Sequence, residues 1–191
     1  VGLCGKITVF VPACETVELW LVELTNIGKH AQTVDIIPTV PIFGGSRSYT
    51  EYHRDVVRLY NKSIHDEADS TIIIYPGLEW VEGDTNSSDI CYFMHASSSE
   101  GEKGDYFYSD RETFLGPHHR WSEPLSLSAK IRPKYNVLGK EAVGAIEFSD
   151  VKLRPGQSVC FGIINGIVLE RSKIKAYTKK YNYEGIKLAK E

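Results

Sequence analysis

The chain lacks the short motifs that mark most enzyme active sites. Its four cysteines form no CxxC pair and show no metal-ligand spacing. No glycine-rich phosphate-binding loop and no nucleophile elbow occurs in its 191 residues. The histidines are scattered, and the adjacent pair His118 and His119 would point to opposite faces of a strand. We therefore expect no catalytic residue, no resident cofactor and no metal site in this chain.

An excess of positive charge is also missing. Lysine and arginine number 22 against 25 acidic residues, which gives a net charge of −3. Nucleic-acid binding usually needs a basic surface. No apolar run approaches the roughly 20 residues of a membrane span, and no signal peptide opens the chain. We expect a cytoplasmic protein with no nucleic-acid partner and no membrane partner.

The cysteines favour a reducing compartment. Cys91 and Cys160 lie inside apolar runs, where a free thiol behaves as a small hydrophobic residue. The alternative is a disulfide between Cys4 and Cys14 across a hairpin.

What the sequence does contain is a series of short segments rich in β-branched and aromatic residues. Residues 26–29 and 154–157 are predicted to form a hairpin turn and a tight turn. The chain is therefore predicted to be all-β, an antiparallel β-sandwich or barrel, of which we favour the sandwich. Its predicted strands are Lys6–Val11, Thr16–Thr25, Thr33–Val40, Thr71–Tyr75, Ile90–Ala96, Ser126–Ile131, Val143–Phe148 and Gln157–Ile163.

The two ends suggest a piece of something longer. The first residue is Val1 rather than Met, and residues 1–11 already have strand character. Residues 171–191 carry seven Lys or Arg against two Glu, with Ile174, Tyr177 and Tyr181 at helical spacing. This basic helix is expected either to pack on something absent from the chain or to be solvated. We expect a sandwich over residues 1–168 and a linker helix over 169–191.

Two segments carry the residues of greatest functional interest. Residues 106–116 alternate aromatic side chains until Asp110 and Arg111, after which Gly116 predicts a loop. Residues 43–61 are rich in Tyr, His and Arg and include a loop at 44–46, while Val56–Tyr60 could be either a strand or a short helix. A long loop with such residues is often functional.

Three motifs follow one another along the chain: Phe10–Pro12 with Val17–Trp20 and Leu24–Asn26, then Tyr108–Gly116, then Leu153–Val159 with the basic tail. In this order and register they resemble the N-terminal domain of glycoside hydrolase family 94, the cellobiose-phosphorylase-like enzymes. The resemblance covers nearly the whole chain, and only the second motif is specific. Residues 41–44 with 53–54 further resemble the branch that includes 1,2-β-oligoglucan phosphorylases.

The resemblance implies a supersandwich-like fold, whole or partial, that precedes an (α/α)6 barrel carrying a general-acid Asp. It implies an inverting phosphorolysis of β-glucosides with inorganic phosphate as co-substrate. It also implies a homodimer in which the sandwich of one subunit borders the active site of the other. This chain would then be the non-catalytic part of such an enzyme, and its partners would be oligosaccharide, phosphate and the catalytic barrel.

Phosphorolysis needs a carboxylic acid that protonates the leaving oxygen, and Asp110 and Glu112 are the local candidates for it. Two apart on an extended segment, they would point the same way and lie roughly 6–7 Å apart, like a carboxylate pair. The alternative for Asp110 is to hold Arg111 or a loop amide. Arg111 could bind phosphate or sugar hydroxyls in bidentate fashion, or form a structural salt bridge. Trp121 offers either a sugar-stacking face or a core or interface side chain. Tyr52, His53 and Arg54 of the segment 43–61 are further candidates on the substrate or interface side.

Two other functions stay open. A free-standing carbohydrate-binding module would use aromatic platforms, namely Tyr49, Tyr52, Trp80, Tyr106 and Trp121. A protein-interaction domain would use the basic tail to dock to a partner.

Overall fold

The protein forms two antiparallel sheets packed face to face, with short helices on their outer faces, as the predicted all-β sandwich requires. The computed structural model describes residues 2–43, 53, 55–56, 58–81, 84–87, 90–117, 120–129 and 133–190. The segment 43–61 lies partly outside these residues. Its described residues 53, 55–56 and 58–59 are helical, in agreement with the short-helix alternative for Val56–Tyr60.

The strands, in chain order, are β1 Leu3–Phe10, β2 Val17–Asn26, β3 Gln32–Ile36, β4 Thr39–Pro41, β5 Lys62–Asp66, β6 Thr71–Tyr75, β7 Leu78–Val81, β8 Asp84–Ser87, β9 Cys91–Ser98, β10 Tyr106–Asp110, β11 Asn136–Leu138, β12 Ala142–Leu153 and β13 Ser158–Val168. The helices are α1 Arg111–Leu115, α2 Leu125–Ser128, α3 Ser172–Lys180 and α4 Tyr183–Lys190.

The large sheet has seven strands in the order β1-β2-β13-β9-β6-β5-β11. The small sheet has the order β10-β12-β3, with β4 also pairing with β12, and β7 and β8 form a separate hairpin. The chain crosses between the sheets at both predicted turns. The residue 154–157 turn is tight, with the Gln157 N–H donating to the Arg154 carbonyl, and it joins β12 to β13.

The predicted hairpin at residues 26–29 is wrong, because β3 pairs with β12 in the other sheet rather than with β2. The side chain of Asn26, fully buried, controls this crossing. Its Nδ2 donates to the carbonyls of His30 and Leu153, and its Oδ1 accepts from the Gly28 N–H. These bonds tie the turn to the end of β12 and direct the chain into the small sheet.

Strand β2 is covered on both faces because its two alternating sets of side chains are both apolar. Val17 and Leu19 pack into a core on the outer face of the large sheet. Trp20 and Val22 pack against the core between the sheets. That inner core includes Phe148 of the small sheet and Phe161 of the large sheet, whose ring centroids lie 4.7 Å apart. Burying a large apolar side chain contributes about 1.5–3 kcal/mol, so this layer contributes a large part of the stability.

The basic tail forms two helices that pack on the chain's own sheet. Ile174 of α3 and Ile186 of α4 are buried in the outer core together with Tyr181. Neither predicted alternative, a partner absent from the chain or a solvated helix, describes this packing. The break between the helices lies at Tyr181 and Asn182, where the Asn182 side chain accepts from the Gly185 N–H. Whether the tail also leads toward a barrel stays a prediction.

Glu15, between β1 and β2, holds the first of these helices. Its carboxylate accepts hydrogen bonds from the Tyr177 hydroxyl at 2.9 Å and from the Tyr181 hydroxyl at 3.1 Å. Lys180 completes the cluster as an ion pair. The Lys180 ammonium, followed by the Tyr177 hydroxyl, holds the pKa of Glu15 below its ordinary value of 4.5. A short loop at one edge of the sheet is thereby linked to the C-terminal part of the chain.

Two strand predictions need correction. The segment predicted as Ser126–Ile131 begins as helix α2, which follows Pro124, and Ser126 is buried in it. Leu125 and Leu127 alternate with serines, a pattern typical of a strand, but the described residues of this segment pair with no strand of either sheet. The segment predicted as Thr33–Val40 divides into β3 and β4 around Pro38, because proline has no N–H to donate to a ladder.

The remaining sequence expectations concern thiols and membranes. None of the four cysteines forms a disulfide, so the alternative of a Cys4–Cys14 disulfide is wrong. Among the described residues, no helix combines the length and the apolarity that crossing a membrane requires.

The cluster around Glu15 predicts a defined effect on stability. Replacing Glu15 by Ala should lower the free energy of unfolding by about 1 kcal/mol, the net value of such hydrogen bonds. Because the native pKa of Glu15 is lowered, its contribution is present above pH 4.5 and is lost as the pH falls through the native value. Urea unfolding of both proteins at pH 7 and at pH 3 measures this, and the difference should shrink at pH 3.

The matched control is Glu184→Ala, which removes an exposed carboxylate paired with Lys187 at 3.4 Å within one helix. We expect it to change the free energy of unfolding by less than about 0.5 kcal/mol. Equal losses in the two variants at pH 7 would contradict the role of Glu15.

Candidate functional site

The predicted alternation at residues 106, 108 and 110 is confirmed as strand β10, which pairs with β12. Tyr108 is fully buried on the outer face of the small sheet, and its hydroxyl donates to Glu147 Oε2 at 3.0 Å. Burial, and next the Glu147 carboxylate, raise the pKa of the Tyr108 hydroxyl above its ordinary range. The strand is therefore anchored by its aromatic side chains.

The predicted loop after Asp110 is instead helix α1. Asp110 is its N-cap, with Oδ1 accepting from the Thr113 N–H at 2.8 Å, and the residue is 3% exposed. Such a bond satisfies one of the unpaired amides of a helix start. Asp110 and Glu112 do not lie together on an extended segment as expected, because Glu112 is in the helix. There it forms an ion pair with Lys140.

Arg111 is fixed to the start of β12. Its Nη1 lies 2.5 Å from Glu141 Oε2, and its backbone N–H donates to the Glu141 carbonyl at 2.9 Å. Its Nε is buried without a hydrogen-bond partner. The structure thus shows the salt bridge that the sequence offered as one alternative. The role of Arg111 on the substrate side stays a prediction.

Trp121 lies beside the same helix. Its ring centroid is 6.2 Å from that of Phe114, and the residue is 45% exposed. Phe114 itself packs on Tyr108 in the small core that α1 closes over the sheet. Asp110, Arg111 and Trp121 are therefore brought together around α1, and part of the indole faces solvent.

Among the other candidates, Tyr106 packs against the same small core of Tyr108, Phe114 and Leu115. His53 is exposed. Tyr52 and Arg54 lie outside the described residues, as do Tyr49 and the pair at 118 and 119. Nothing is described of the Trp80 side chain.

A polar cavity of about 480 Å³ is a feature that the sequence did not reveal. It is lined by His65, Glu67, Asp105, Tyr106, Phe107, Pro133, Ser149 and Asp150. The cavity unites β5, β10 and β12, which are distant in the chain. Only Tyr106 among its residues was a sequence candidate, and no local pattern places His65 beside Asp150.

The cavity wall includes a β-bulge in β12. The register with β3 shifts between Phe148 and Val151, and Asp150 has a left-handed backbone with φ of 55°. Asp105 Oδ2 accepts from the Ser149 N–H, and Asp35 Oδ1 accepts from the Asp150 N–H, both at 2.8 Å. The carboxylates of Asp35 on β3 and of Asp105 just before β10 thus stabilise the backbone of the bulge.

The comparison with protein families decides the assignment of the chain. A family model described as glycosyl hydrolase 94, supersandwich domain, matches residues 1–184. The chain belongs to the glycosyl hydrolase 94 supersandwich family. This confirms the resemblance drawn from the three sequence motifs, while the 1,2-β-oligoglucan branch stays a prediction.

Among solved structures, this supersandwich domain is similar to a protein named "Putative kojibiose phosphorylase from human microbiome". The identity is 8% and the TM-score 0.41, over 98% of this chain and 19% of that chain. The domain thus spans about a fifth of that protein's length. No curated protein matches the domain.

The cap formed by Asp110 gives a prediction that separates a structural role from an acid role. Asp110→Ala should lower the free energy of unfolding by about 1 kcal/mol, because an N-cap bond is lost. Asp110→Asn should cost less, because its amide oxygen can accept from the same N–H. Urea unfolding measures both. If Asp110 were a catalytic acid, both variants would instead lose enzyme activity to the same extent. A fully active Asn variant would therefore contradict an acid role for Asp110.

Proposed function

We propose that this chain is the non-catalytic sandwich of an inverting glycoside phosphorylase that cleaves β-glucosides with inorganic phosphate. The observation that carries the proposal is the family match over residues 1–184. The enzyme activity would belong to the parent protein, and the sandwich would border its active site and dimer interface. The sequence resemblance adds the 1,2-β-oligoglucan branch as the proposed specificity.

The chemistry of the described residues supports a non-catalytic role. A general acid needs a carboxyl group that can reach the leaving oxygen of a bound sugar. Asp110 caps a helix, and Glu147 accepts hydrogen bonds from Tyr108 and from Ser149 at 2.9 Å. Glu141 is bound to Arg111. These carboxylates already serve the fold.

An uncovered surface on β1 supports assembly with further protein. Among the described strands, β1 pairs with β2 alone, so its other edge is open. Ile7 and Val9 lie opposite Val22 and Trp20, on the face that elsewhere meets the small sheet. They are 61% and 49% exposed, and Val11 next to them is 63% exposed. An open edge with an apolar row is unusual on a surface that stays in water.

We further propose that Trp121 and Arg111 face the neighbouring subunit's site, together with Tyr52, His53 and Arg54. The half-exposed indole of Trp121 supports this, because a sugar ring can stack on an accessible aromatic face. The same exposure supports the second candidate function, a carbohydrate-binding module. A docking role for the basic tail has less support, because Ile174, Tyr181 and Ile186 are buried on the large sheet and only Leu188 among its large aliphatic residues is exposed.

The activity test uses the full-length protein that contains this chain. Incubated with β-linked gluco-disaccharides and phosphate, it should release α-glucose 1-phosphate, since inversion turns a β-linkage into an α-phosphate. Proton NMR of the anomeric signal measures both yield and configuration. The chain of residues 1–191 alone should give no product. A β-phosphate product, or phosphorolysis by residues 1–191 alone, would contradict the proposal.

The surface of β1 gives a separate prediction on assembly. Changing Ile7 and Val9 to Glu in the full-length protein should weaken its dimer at least about tenfold, because charges would be buried in an apolar contact. Analytical ultracentrifugation over a concentration series measures this. Lys6→Glu, on the opposite face of the same strand, is the matched control. A dimer unaffected by the double variant would show that this surface is not the interface.

A further inference from the structure

The open edge of β1 lacks the usual protection against pairing with another strand. Proteins block such edges with proline, with a β-bulge or with several charged side chains. The strand Leu3–Phe10 contains no proline, and its ladder with β2 runs without a shift of register. Its one charged residue, Lys6, lies directly opposite Glu23 of β2, which offsets the charge within the sheet. The edge is therefore able to accept a further strand.

The backbone groups that β1 directs to its open edge can be identified. The Ile27 N–H donates to the Gly2 carbonyl at 2.7 Å, and these two residues continue the register of the β1–β2 ladder. Hydrogen-bonded pairs alternate with non-hydrogen-bonded pairs along an antiparallel ladder. The even-numbered residues of β1 therefore bond to β2. The odd-numbered residues, from Leu3 to Val9, direct their N–H and C=O groups to the open edge.

A second copy of β1 can satisfy these groups in an antiparallel arrangement about a two-fold axis. Odd-numbered residues must then pair with odd-numbered residues, so the arrangement is centred on one residue and its own copy. Two registers pair the longest stretches of the strand, residues 3–9 about Lys6 and residues 4–10 about Ile7. The first places two lysines directly opposite each other, which is unfavourable. The second places Lys6 opposite Thr8 and Ile7 opposite Ile7.

We propose that β1 pairs with β1 of a second copy of this chain, antiparallel and centred on Ile7, so that two large sheets become one. Backbone hydrogen bonds would join Ile7 to Ile7 and Gly5 to Val9. Gly5 has no side chain, which leaves room for Val9 of the second copy on the same face. Ile7 and Val9, 61% and 49% exposed, would thereby lose part of their contact with water.

This inference rests on the dimer of the proposed function, for which it names the contact and the register. It does not depend on phosphorolysis. The charge of Lys6 selects the register, because the alternative of equal length is excluded by repulsion between the two lysines. The hydrogen-bond pattern selects a strand as the occupant, since a helix or an apolar side chain cannot pair with the open N–H and C=O groups.

The test locates the register by disulfide formation in the full-length protein. Cys4 and Cys14 are first replaced by Ser, because both are exposed thiols. In that background Ile7→Cys should form an intermolecular disulfide under mild oxidation, since the Cα atoms of such a pair lie about 5.5 Å apart. The matched control is Val9→Cys, whose two copies would be about 14 Å apart along the strands. Non-reducing electrophoresis should show at least about tenfold faster cross-linking at position 7.

A mixture of two variants provides a second, independent readout. Because Gly5 would face Val9 of the second copy, Gly5→Cys mixed with Val9→Cys should form a disulfide that neither variant forms alone. Equal cross-linking of Val9→Cys and Ile7→Cys would overturn the inference. A monomeric protein, or a dimer in analytical ultracentrifugation with no disulfide at position 7, would also overturn it. The predicted cross-links in a protein without phosphorolysis would contradict the proposed function alone.

Discussion

The fold depends on covering the large sheet on both of its faces. Strand β2, between β1 and β13, carries apolar side chains in both alternating sets, so neither face can stay in water without a large cost. The small sheet covers one face and the two C-terminal helices cover the other. Both layers come from segments far apart in the chain, which makes the sandwich and its basic tail one cooperative unit.

Polar side chains position the connecting segments and helices at the edges of these layers. Asn26 directs the chain from one sheet to the other, Glu15 binds the first tail helix, and Asp110 with Arg111 begins α1 against the small sheet. Each of these groups is engaged within the chain. The described surface includes the exposed apolar row on β1, part of Trp121 and the polar cavity beside His65.

Several elements could be predicted from local pattern, and others could not, for identifiable reasons. The alternation through Tyr106, Tyr108 and Asp110 predicts β10 because every second side chain enters one core. The helix after it was missed because a single capping bond from Asp110 makes Arg111–Leu115 helical, and charged residues alone look the same in a loop. The alternating leucines after Pro124 predict a strand, but these residues form a short helix.

Within the candidate site, the sequence identified Asp110, Arg111 and Trp121, which do lie around one helix. It could not identify Glu141 as the partner of Arg111, because that pair joins residues 30 positions apart. The cavity beside His65 was missed for the same reason. Its walls come from three strands and a bulge, and no segment alone carries its chemistry.

The sequence by itself determined the fold class, the family and the apolar character of both faces of β2, because these follow from local alternation, turn residues and ordered motifs. The tertiary structure decided what covers each face, because packing partners are selected by shape and burial across long separations. The same holds for the carboxylates, whose partners are fixed only when distant strands meet. The sequence suggests that the basic tail packs on a partner absent from the chain, whereas the structure shows it packed on the chain's own large sheet.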